Sequence, residues 1–453
     1  MPKRSSRRQF LQTTALSGVG FWIASRSAAE ESKSPNERIA IAAIGLGDQG
    51  NKDTRELNKL GDIVAICEVD ETRLNTAGDK RFPKAKRYSD FRKMLDEMGK
   101  SVDAVTIATP DHLHAAVALL AMRMGKHCYC QKPLTRSLYE SRKMAKVAGE
   151  MKVATQMGNQ HTADDSLRKS VAVIQAGTLG APKEIHVWSN RPIWPQGNQR
   201  SEPVVCPYTL NWNLWIGPAP MRPYAQGYHP FSWRGWWDFG SGALGDMACH
   251  TMNMPFWALN LRNPISAQAE TSGHNRDSFP ASSKVVYEFA ATNERPAVKL
   301  FWYDGGNLPG NEALGEVYEL YKKQINDDKK FLKSGCVVIG EKDTLYIPGD
   351  NPDKSIKLSG DKPLPDVQFT KSPGHYEEWT RAIKGGPPAK SNFPDYAGPL
   401  AEIVLLGNLA VWMANKGQGE KVEWDAKNLK CTNIEGLEPL IKPIYRPGYK
   451  LDS

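Results

Sequence analysis

The stretch "IAIAAIGLGDQG", residues 39–50, joins a wholly apolar run of six residues to a glycine-rich turn. An apolar run without alternation is typical of a strand covered on both faces of a parallel sheet. Gly45, Gly47 and Gly50 follow with the spacing GxGxxG. A turn of this kind between a strand and a helix lets the backbone approach a pyrophosphate at the helix N-terminus. The stretch therefore predicts a dinucleotide-binding α/β fold, and the alternative is a glycine turn in an unliganded α/β domain.

An acidic residue marks the end of the next apolar run. That run covers residues 62–70, and its Glu68 lies 23 positions after Gly45. A carboxylate at this place can accept a hydrogen bond from the adenosine ribose, and it repels a 2′-phosphate. We therefore expect NAD as the cofactor in preference to NADP, with Asp48 and Gln49 beside it in the glycine turn.

The first part of the chain alternates between two kinds of element. The predicted order is strand, helix, strand, helix, strand, over residues 103–110, 111–126, 127–133, 137–151 and 152–160. Such alternation indicates a parallel sheet with helices on both faces. We expect an NAD-binding Rossmann domain over residues 38–158.

From about residue 182 onward, strands follow one another instead of alternating with helices. The predicted strands cover residues 184–190, 265–273, 283–291, 297–305, 335–341 and 343–349, and two helices cover 375–386 and 396–417. Alternating apolar residues favour a mainly antiparallel, open sheet with one face covered by helices. We expect an α+β domain for substrate and subunit contacts over 159–430, a polar insertion at 306–334 and a C-terminal segment at 431–453.

The first 29 residues have a basic start, an apolar run and small residues at the end, which is the architecture of a signal peptide. The pair Arg7–Arg8 resembles the twin-arginine export signal. A basic, disordered tail or an uncleaved anchor is the alternative. We expect a linker at 30–37, a periplasmic protein, and no stable membrane insertion after signal removal.

Charge and cysteine content exclude several classes of protein. Removal of five basic residues with the signal lowers the formal net charge from +9 to +4, and no basic stripe suggests a nucleic-acid partner. The seven scattered cysteines contain no CxxC pair, so we expect neither a disulfide framework nor a metal site.

Six of the thirteen tryptophans lie within residues 191–240, among many prolines and glycines. Flat rings on loops suit stacking against a sugar, and they equally suit a small core under a long loop. The candidate substrate contacts are Tyr228, Arg234 and Trp236 from this stretch, and Asn159 and His161 beside the last strand of the first domain.

The stretch "CYCQKPLT", residues 128–135, places Lys132 at the tip of a predicted parallel strand, where such sheets bind ligands. Asp246 and His250 lie four positions apart, so they share one face of a predicted helix. Alone, the pair fits a structural hydrogen bond, half of a metal site or an acid/base pair. Beside a nicotinamide, we expect Lys132 to relay the proton of a substrate hydroxyl. We expect His250 to be a second acid/base or a group that orients the substrate, with Asp246 positioning it.

Four motifs together resemble the Gfo/Idh/MocA family, which includes glucose–fructose oxidoreductase, inositol dehydrogenase and a rhizopine catabolism protein. The motifs are "GLGDQG" at 45–50, "TPDHLH" at 109–114, "QKP" at 131–133 and "GSGALGDMACH" at 240–250. The resemblance covers roughly residues 37–430. It implies a Rossmann domain, a second domain with an open antiparallel sheet, and a homo-oligomer, either a dimer or a tetramer.

The resemblance also implies roles for individual residues. Lys132, Asp246 and His250 match the catalytic positions of the family. The positions that border the cofactor fall on Thr109, Pro110, His114 and Gln131. The family usually has Glu at the position of Gln131, which leaves room for a changed reaction.

The expected function is that of an NAD-dependent oxidoreductase acting on a secondary alcohol of a sugar, a sugar derivative or a cyclitol. One alternative is a glycoside hydrolase or lyase that oxidises a ring carbon transiently and recycles its NAD. Another is a non-catalytic, sugar-binding relative.

Overall fold

The computed structural model describes residues 38–315, 333–350 and 356–452. The expected export signal and linker lie outside the described residues, as does most of the expected insertion at 306–334.

Six parallel strands form the first sheet, in the order β3-β2-β1-β4-β5-β6. The strands are β1 Ile39–Ile44, β2 Gly61–Cys67, β3 Lys86–Tyr88, β4 Ala104–Ile107, β5 His127–Gln131 and β6 Thr155–Gly158. The connecting helices are α1 Asp48–Leu60, α2 Glu71–Lys80, α3 Phe91–Met98, α4 Asp111–Arg123 and α5 Leu138–Met151. The strand order reverses between β1 and β4, and this is where doubly wound sheets bind ligands. The Rossmann prediction is confirmed.

Some strand ends differ from the sequence-based prediction for local reasons. The predicted strand 103–110 ends at Ile107, because Pro110 leaves the sheet and serves as the N-cap of α4. The predicted strand 62–70 ends at Cys67, because the Asp70 carboxylate accepts from the amides of Thr72 and Arg73 and caps α2. Both changes place polar residues at the carboxyl edge of the sheet.

A second sheet has nine strands in the order β13-β12-β11-β7-β10-β9-β8-β14-β15. Its strands are β7 Pro182–Trp188, β8 Ser266–Thr271, β9 Ser283–Phe289, β10 Val298–Tyr303, β11 Gly335–Gly340, β12 Thr344–Pro348, β13 Lys357–Leu358, β14 Val422–Asp425 and β15 Lys430–Cys431. The β7–β10 pair is parallel, and the other described pairs are antiparallel. The expected α+β domain with a mainly antiparallel sheet is therefore present.

Some of the later helices pack on this sheet, and others pack on the first domain. They are α6 Asp165–Gln175, α7 Trp212–Ile216, α8 Gly242–Thr251, α9 Asn253–Ala258, α10 His375–Ile383, α11 Gly398–Met413 and α12 Glu438–Ile441. The stretch Phe393–Met413 is long and apolar enough to cross a membrane, and most of it is buried inside the fold. Helix α11 packs on β8, α5 and α8. It therefore connects the two sheets through a shared core.

The tryptophan-rich stretch folds into a small aromatic core that includes Trp215, Trp233 and Trp236. This matches the second of the two alternatives, a core under a long loop. Its backbone pairs with the loop after β2, since Glu71 N donates to Thr209 O at 2.8 Å and Asn211 N donates to Val69 O at 2.9 Å. The aromatic core thus lies over the carboxyl edge of the first sheet.

All seven cysteines are free thiols, and they differ in exposure. Six are buried, while Cys206 in the tryptophan-rich stretch is half-buried. Its Sγ lies 3.6 Å from both Pro207 O and Leu210 O.

Candidate active site

A cavity of about 580 Å³ opens at the strand-order reversal of the first sheet. One wall comes from the carboxyl ends of β1, β2, β4 and β5, and the opposite wall comes from α8 and the aromatic core. Most of the predicted site residues line it: Gly45, Gly47, Asp48, Gln49, Gly50, Glu68, Thr109, Pro110, Gln131, Lys132, His161, Arg234, Asp246 and His250.

The glycine turn forms a cradle in which side chains have no room. Gly45 has φ +85°, and a Cβ there would lie 2.5 Å from Ala108 O. A Cβ on Gly50 would lie 2.2 Å from Gly45 O. Gly47 is the N-cap of α1, and no side chain caps the helix there. The backbone amides of the first turn therefore face the cavity edge without a capping side chain, which fits the pyrophosphate of a dinucleotide.

Glu68 fastens this turn to the end of β2. Its Oε2 accepts from Leu46 N at 2.9 Å, and its Oε1 accepts from Val69 N at 2.8 Å and Asp70 N at 3.1 Å. Burial raises the pKa of this carboxyl, while the three backbone donors oppose the rise. Arg73 lines the same end of the cavity, with its guanidinium beside Gly47. The carboxyl group of Glu68 and the guanidinium of Arg73 therefore both lie where the adenosine ribose is expected.

Lys132 follows β5 and points at α8 of the second domain. Its Nζ donates to Asp246 O at 3.0 Å and to Asp246 Oδ1 at 3.1 Å. Arg234 Nε donates to the same Oδ1 at 3.2 Å, and its guanidinium carbon lies 4.4 Å from the centre of the Trp233 ring. Burial opposes ionisation of Asp246, but the two cations outweigh it and hold its pKa at about 2. A fixed carboxylate thus holds the amine inside the cavity.

His250 lies one helical turn beyond Asp246, on the same face of α8. Burial and the nearby Lys132 lower the pKa of this imidazole well below its ordinary value, so the ring is neutral. Its Nδ1 has no hydrogen-bond partner among the described residues. The His161 ring lies 6.0 Å away, centre to centre, and its Nδ1 is 2.6 Å from Asp164 Oδ2. His250 thus places a neutral imidazole in the cavity wall.

Asp111 is a third carboxyl in the cavity wall, and the sequence placed it only at a helix start. It is 2% exposed, and Ser241 Oγ donates to its Oδ2 at 2.6 Å. Burial raises the pKa of this carboxyl to about 7. Asp111 and Asp246 thus differ sharply in charge near neutral pH, because only Asp246 is bound directly by cations.

Four predicted residues do not line the cavity: His114, Asn159, Tyr228 and Trp236. The ring of His114 lies behind the wall, with Nδ1 2.9 Å from Pro133 O and Nε2 2.8 Å from Thr109 O. It connects the loop before α4 to the loop that carries Lys132. Asn159 is fully buried, and Tyr228 and Trp236 belong to the aromatic core.

Some residues that line the cavity were not predicted from the sequence: Arg73, Arg191, His229, Asp350 and Tyr449. Arg73 follows Glu68 by five positions at the start of α2, so its place could have been inferred from the strand–helix pattern. Arg191, His229 and Asp350 come from loops of the second domain and Tyr449 comes from the C-terminal segment, and no periodic pattern signals a site in either place. In the described part of the chain, no group of three or more His, Cys, Asp or Glu side chains could hold a metal ion.

Two family models match consecutive parts of the chain. The model described as "Oxidoreductase family, NAD-binding Rossmann fold" matches residues 39–159. The model described as "Oxidoreductase family, C-terminal alpha/beta domain" matches residues 163–334. Together the two matches cover more than half of the 453 residues.

Curated relatives are similar over shorter stretches. Levoglucosan dehydrogenase of Pseudarthrobacter phenanthrenivorans is 27% identical over 42% of this chain and 41% of its own length. Myo-inositol 2-dehydrogenase of Thermotoga maritima is 27% identical over 35% of this chain and 47% of its own length. A glycosyl hydrolase family 109 protein of Solibacter usitatus is 29% identical over 30% of this chain and 35% of its own length. The chain therefore spans less than half the length of each of these relatives.

Solved structures share the fold over most of the chain. The WlbA dehydrogenase of Chromobacterium violaceum, in complex with NADH and UDP-GlcNAcA, has a TM-score of 0.60 at 16% identity. That comparison covers 86% of this chain and 97% of the other. An inositol dehydrogenase homologue of Azotobacter vinelandii, complexed with NADH and myo-inositol, has a TM-score of 0.58 at 14% identity, with 86% and 98% coverage. Two successive domains of this chain match the two domains of one family, and this protein therefore belongs to the Gfo/Idh/MocA oxidoreductase family.

Proposed function

We propose that this protein is an NAD-dependent oxidoreductase that oxidises a secondary alcohol of a sugar, a sugar derivative or a cyclitol. The observation that carries the proposal is the place of Lys132. Its amine lies in the cavity that holds the glycine cradle, and Asp246 fixes it at 3.1 Å. The similarity to levoglucosan and inositol dehydrogenases supports this class of substrate.

Each residue has a separate task in this reaction. NAD, when bound, supplies the acceptor for the hydride that leaves the carbinol carbon. Lys132 acts as the base in its neutral amine form: Nζ takes the hydroxyl proton of the substrate and becomes the ammonium, and Asp246, which pairs with that ammonium, keeps the nitrogen in place. His250, which is neutral, forms a hydrogen bond with the substrate and orients it. Gly45, Gly47 and Gly50 leave room for the cofactor phosphates.

We infer that NAD is preferred to NADP. The Glu68 carboxylate at the end of β2 supports this, because it repels a 2′-phosphate. Arg73 at the same end of the cavity acts in the opposite direction, since a guanidinium binds phosphate well. Titration of the purified protein with each nucleotide distinguishes them, and tighter binding of NADP would contradict the inference.

A second candidate reaction uses the same residues without net oxidation. A glycosidic bond can be broken by oxidising a ring carbon, removing the proton from the next carbon, expelling the aglycone from the carbon after that, adding water to the double bond and reducing the ketone again. The similarity to the glycosyl hydrolase family 109 protein supports this second candidate reaction. It predicts release of the aglycone without accumulation of NADH.

The test starts from natively purified protein, whose bound nucleotide is identified by mass spectrometry. Sugars, cyclitols and simple glycosides are then screened for NADH formation and for aglycone release. NADH formation supports the oxidoreductase, and aglycone release without NADH supports the second candidate. Turnover that survives Lys132→Ala would contradict both assignments of the lysine.

We also propose that the protein is exported by the twin-arginine route to the periplasm and forms a dimer or tetramer there. The Arg7–Arg8 pair and the apolar run after it support export. Fusion of residues 1–37 to a folded reporter tests export, with Arg7→Lys/Arg8→Lys as the control. Light scattering of the purified protein tests the oligomer, and a monomer would contradict it.

A further inference from the structure

The last residues of the chain return to the first domain and reach the cavity. We call residues 445–452 the C-terminal strap. They lie more than a hundred positions beyond residue 334, where the match to the second family model ends. Tyr449 of this strap is 7% exposed, and it lines the cavity together with Ser89, Asp90 and Phe91.

Polar contacts on both sides of Tyr449 hold the strap in place. Before it, Arg446 donates from Nη1 to Gly217 O at 3.1 Å and from Nη2 to Asn213 Oδ1 at 2.6 Å. After it, Leu451 O accepts from Arg123, and Asp452 pairs with Lys143 at 3.2 Å. The strap is therefore fixed to both domains.

The ring of Tyr449 is also held from one face. The guanidinium carbon of Arg92 lies 4.5 Å from the ring centre, at cation–π distance. Arg92 in turn donates to Asp90, with Nη2 2.6 Å from Oδ2. Asp90 caps helix α3 by accepting from Arg92 N. An aromatic ring at the end of β3 is thus fixed before any ligand arrives.

The strand order of the first sheet indicates which part of a dinucleotide lies nearest to the Tyr449 ring. The pyrophosphate lies at the N-terminus of α1, and the adenosine half extends over the carboxyl ends of β2 and β3. Tyr449 lies beyond β3, while Lys132 lies beyond β5 on the other side of the reversal. The adenine therefore comes nearest to Tyr449, and the nicotinamide comes nearest to Lys132.

We propose that Tyr449, which the C-terminal strap carries into the cavity, binds the cofactor by forming an aromatic wall for the adenine. The inference rests on the proposed use of a dinucleotide. It adds a contact from a segment that neither family model covers. An aromatic wall stabilises a nucleobase by stacking, so its loss weakens binding about tenfold or more.

Calorimetric titration with two fragments of the cofactor tests the inference without turnover. ADP-ribose carries the adenine, and nicotinamide mononucleotide does not. Tyr449→Ala is expected to bind ADP-ribose about tenfold more weakly than wild type, with unchanged binding of nicotinamide mononucleotide. Tyr449→Leu, which retains apolar packing, is expected to lose ADP-ribose affinity as well, and Tyr449→Phe is expected to retain it.

Tyr445→Phe is the matched control, because Tyr445 donates to Glu140 Oε1 at 3.1 Å and does not line the cavity. It is expected to bind both fragments like wild type. Wild-type affinity for ADP-ribose in folded Tyr449→Leu would overturn this inference alone. An equal loss of both fragments would also overturn it, since the strap would then serve only the fold. A wild-type protein that binds no ADP-ribose would overturn the dinucleotide function itself.

Discussion

Gln131 donates from Nε2 to Asp53 Oδ2 across 2.6 Å, so the amide that precedes Lys132 lies directly on a buried carboxylate. Asp53 is fully buried, and it also accepts from Gln49 Nε2 at 2.9 Å and from Tyr376 OH at 2.8 Å. Gln131 Oε1 accepts from Lys132 N at 3.3 Å. The contact explains why an amide suits position 131, since the amide donates a hydrogen bond to Asp53, whereas an ionised carboxylate there would repel it.

Gln131→Glu is expected to destabilise the fold by about 3 kcal/mol, because it brings two buried carboxyl groups together. Asp53→Asn/Gln131→Glu restores one donor and one acceptor, so it is expected to recover most of the lost stability. Thermal unfolding of the two variants and of Asp53→Asn measures the coupling. Additive effects of the two single changes would contradict the pairing.

Asp111→Asn is expected to change how stability depends on pH. Burial raises the pKa of Asp111 from 3.8 to about 7, so the folded state favours the neutral carboxyl. That stabilisation is complete below about pH 4 and is lost as the pH rises to about 7. The side chain of the variant does not titrate. Between about pH 4 and pH 7, the free energy of unfolding of the variant is therefore expected to rise relative to that of wild type by up to about 4 kcal/mol. Urea unfolding at several pH values checks this, and a difference independent of pH would contradict it.

Gly50→Ala is expected to abolish nucleotide binding and to destabilise the protein by about 1–3 kcal/mol. The reason is that the added Cβ would lie 2.2 Å from Gly45 O in the cradle. Gly149→Ala is the control, since Gly149 lies in α5 with nothing within 4 Å of its added Cβ. It is expected to stabilise the helix by about 0.5–1 kcal/mol. Calorimetry and thermal unfolding measure both variants, and normal nucleotide affinity in Gly50→Ala would contradict the cradle.

Asp246→Asn removes the charge that holds Lys132 and Arg234. It is expected to lower kcat at least tenfold and to leave nucleotide affinity unchanged, because the carboxylate lies at the substrate end of the cavity. The control is Asp79→Asn, which removes an exposed partner of Arg87 outside the cavity, and no change is expected from it. Steady-state kinetics and nucleotide titration separate the two effects. Unchanged kcat in Asp246→Asn would show that the ion pair does not position the lysine.

The elements that are continuous in sequence were predictable. The apolar run of β1 and the glycine turn predicted the first sheet and its cavity, because both signals lie within twelve neighbouring residues. Helices α2 and α3 and the short strand β3 were not predicted. Lys86–Tyr88 is too brief for a periodic pattern. The position of Lys132 followed from parallel strands sharing one carboxyl edge.

Contacts between distant segments were not predictable. Asp53 and Gln131 are 78 positions apart, and nothing in either segment points to the other. His114 looked like a cofactor contact because its motif borders the cavity, yet its ring turns to two backbone carbonyls. Tyr449 becomes a wall of the cavity only after the strap has packed on the first domain.

Because the thiols differ in exposure, a single cysteine of this protein can be labelled selectively. Under native conditions, a maleimide dye is expected to react with the half-buried thiol of Cys206, because the other six thiols are buried. Burial also raises the pKa of the Cys206 thiol, so labelling is expected to be slow and easily stopped at one dye per chain. That dye would report, by its fluorescence, on whatever enters beside the loop that carries it.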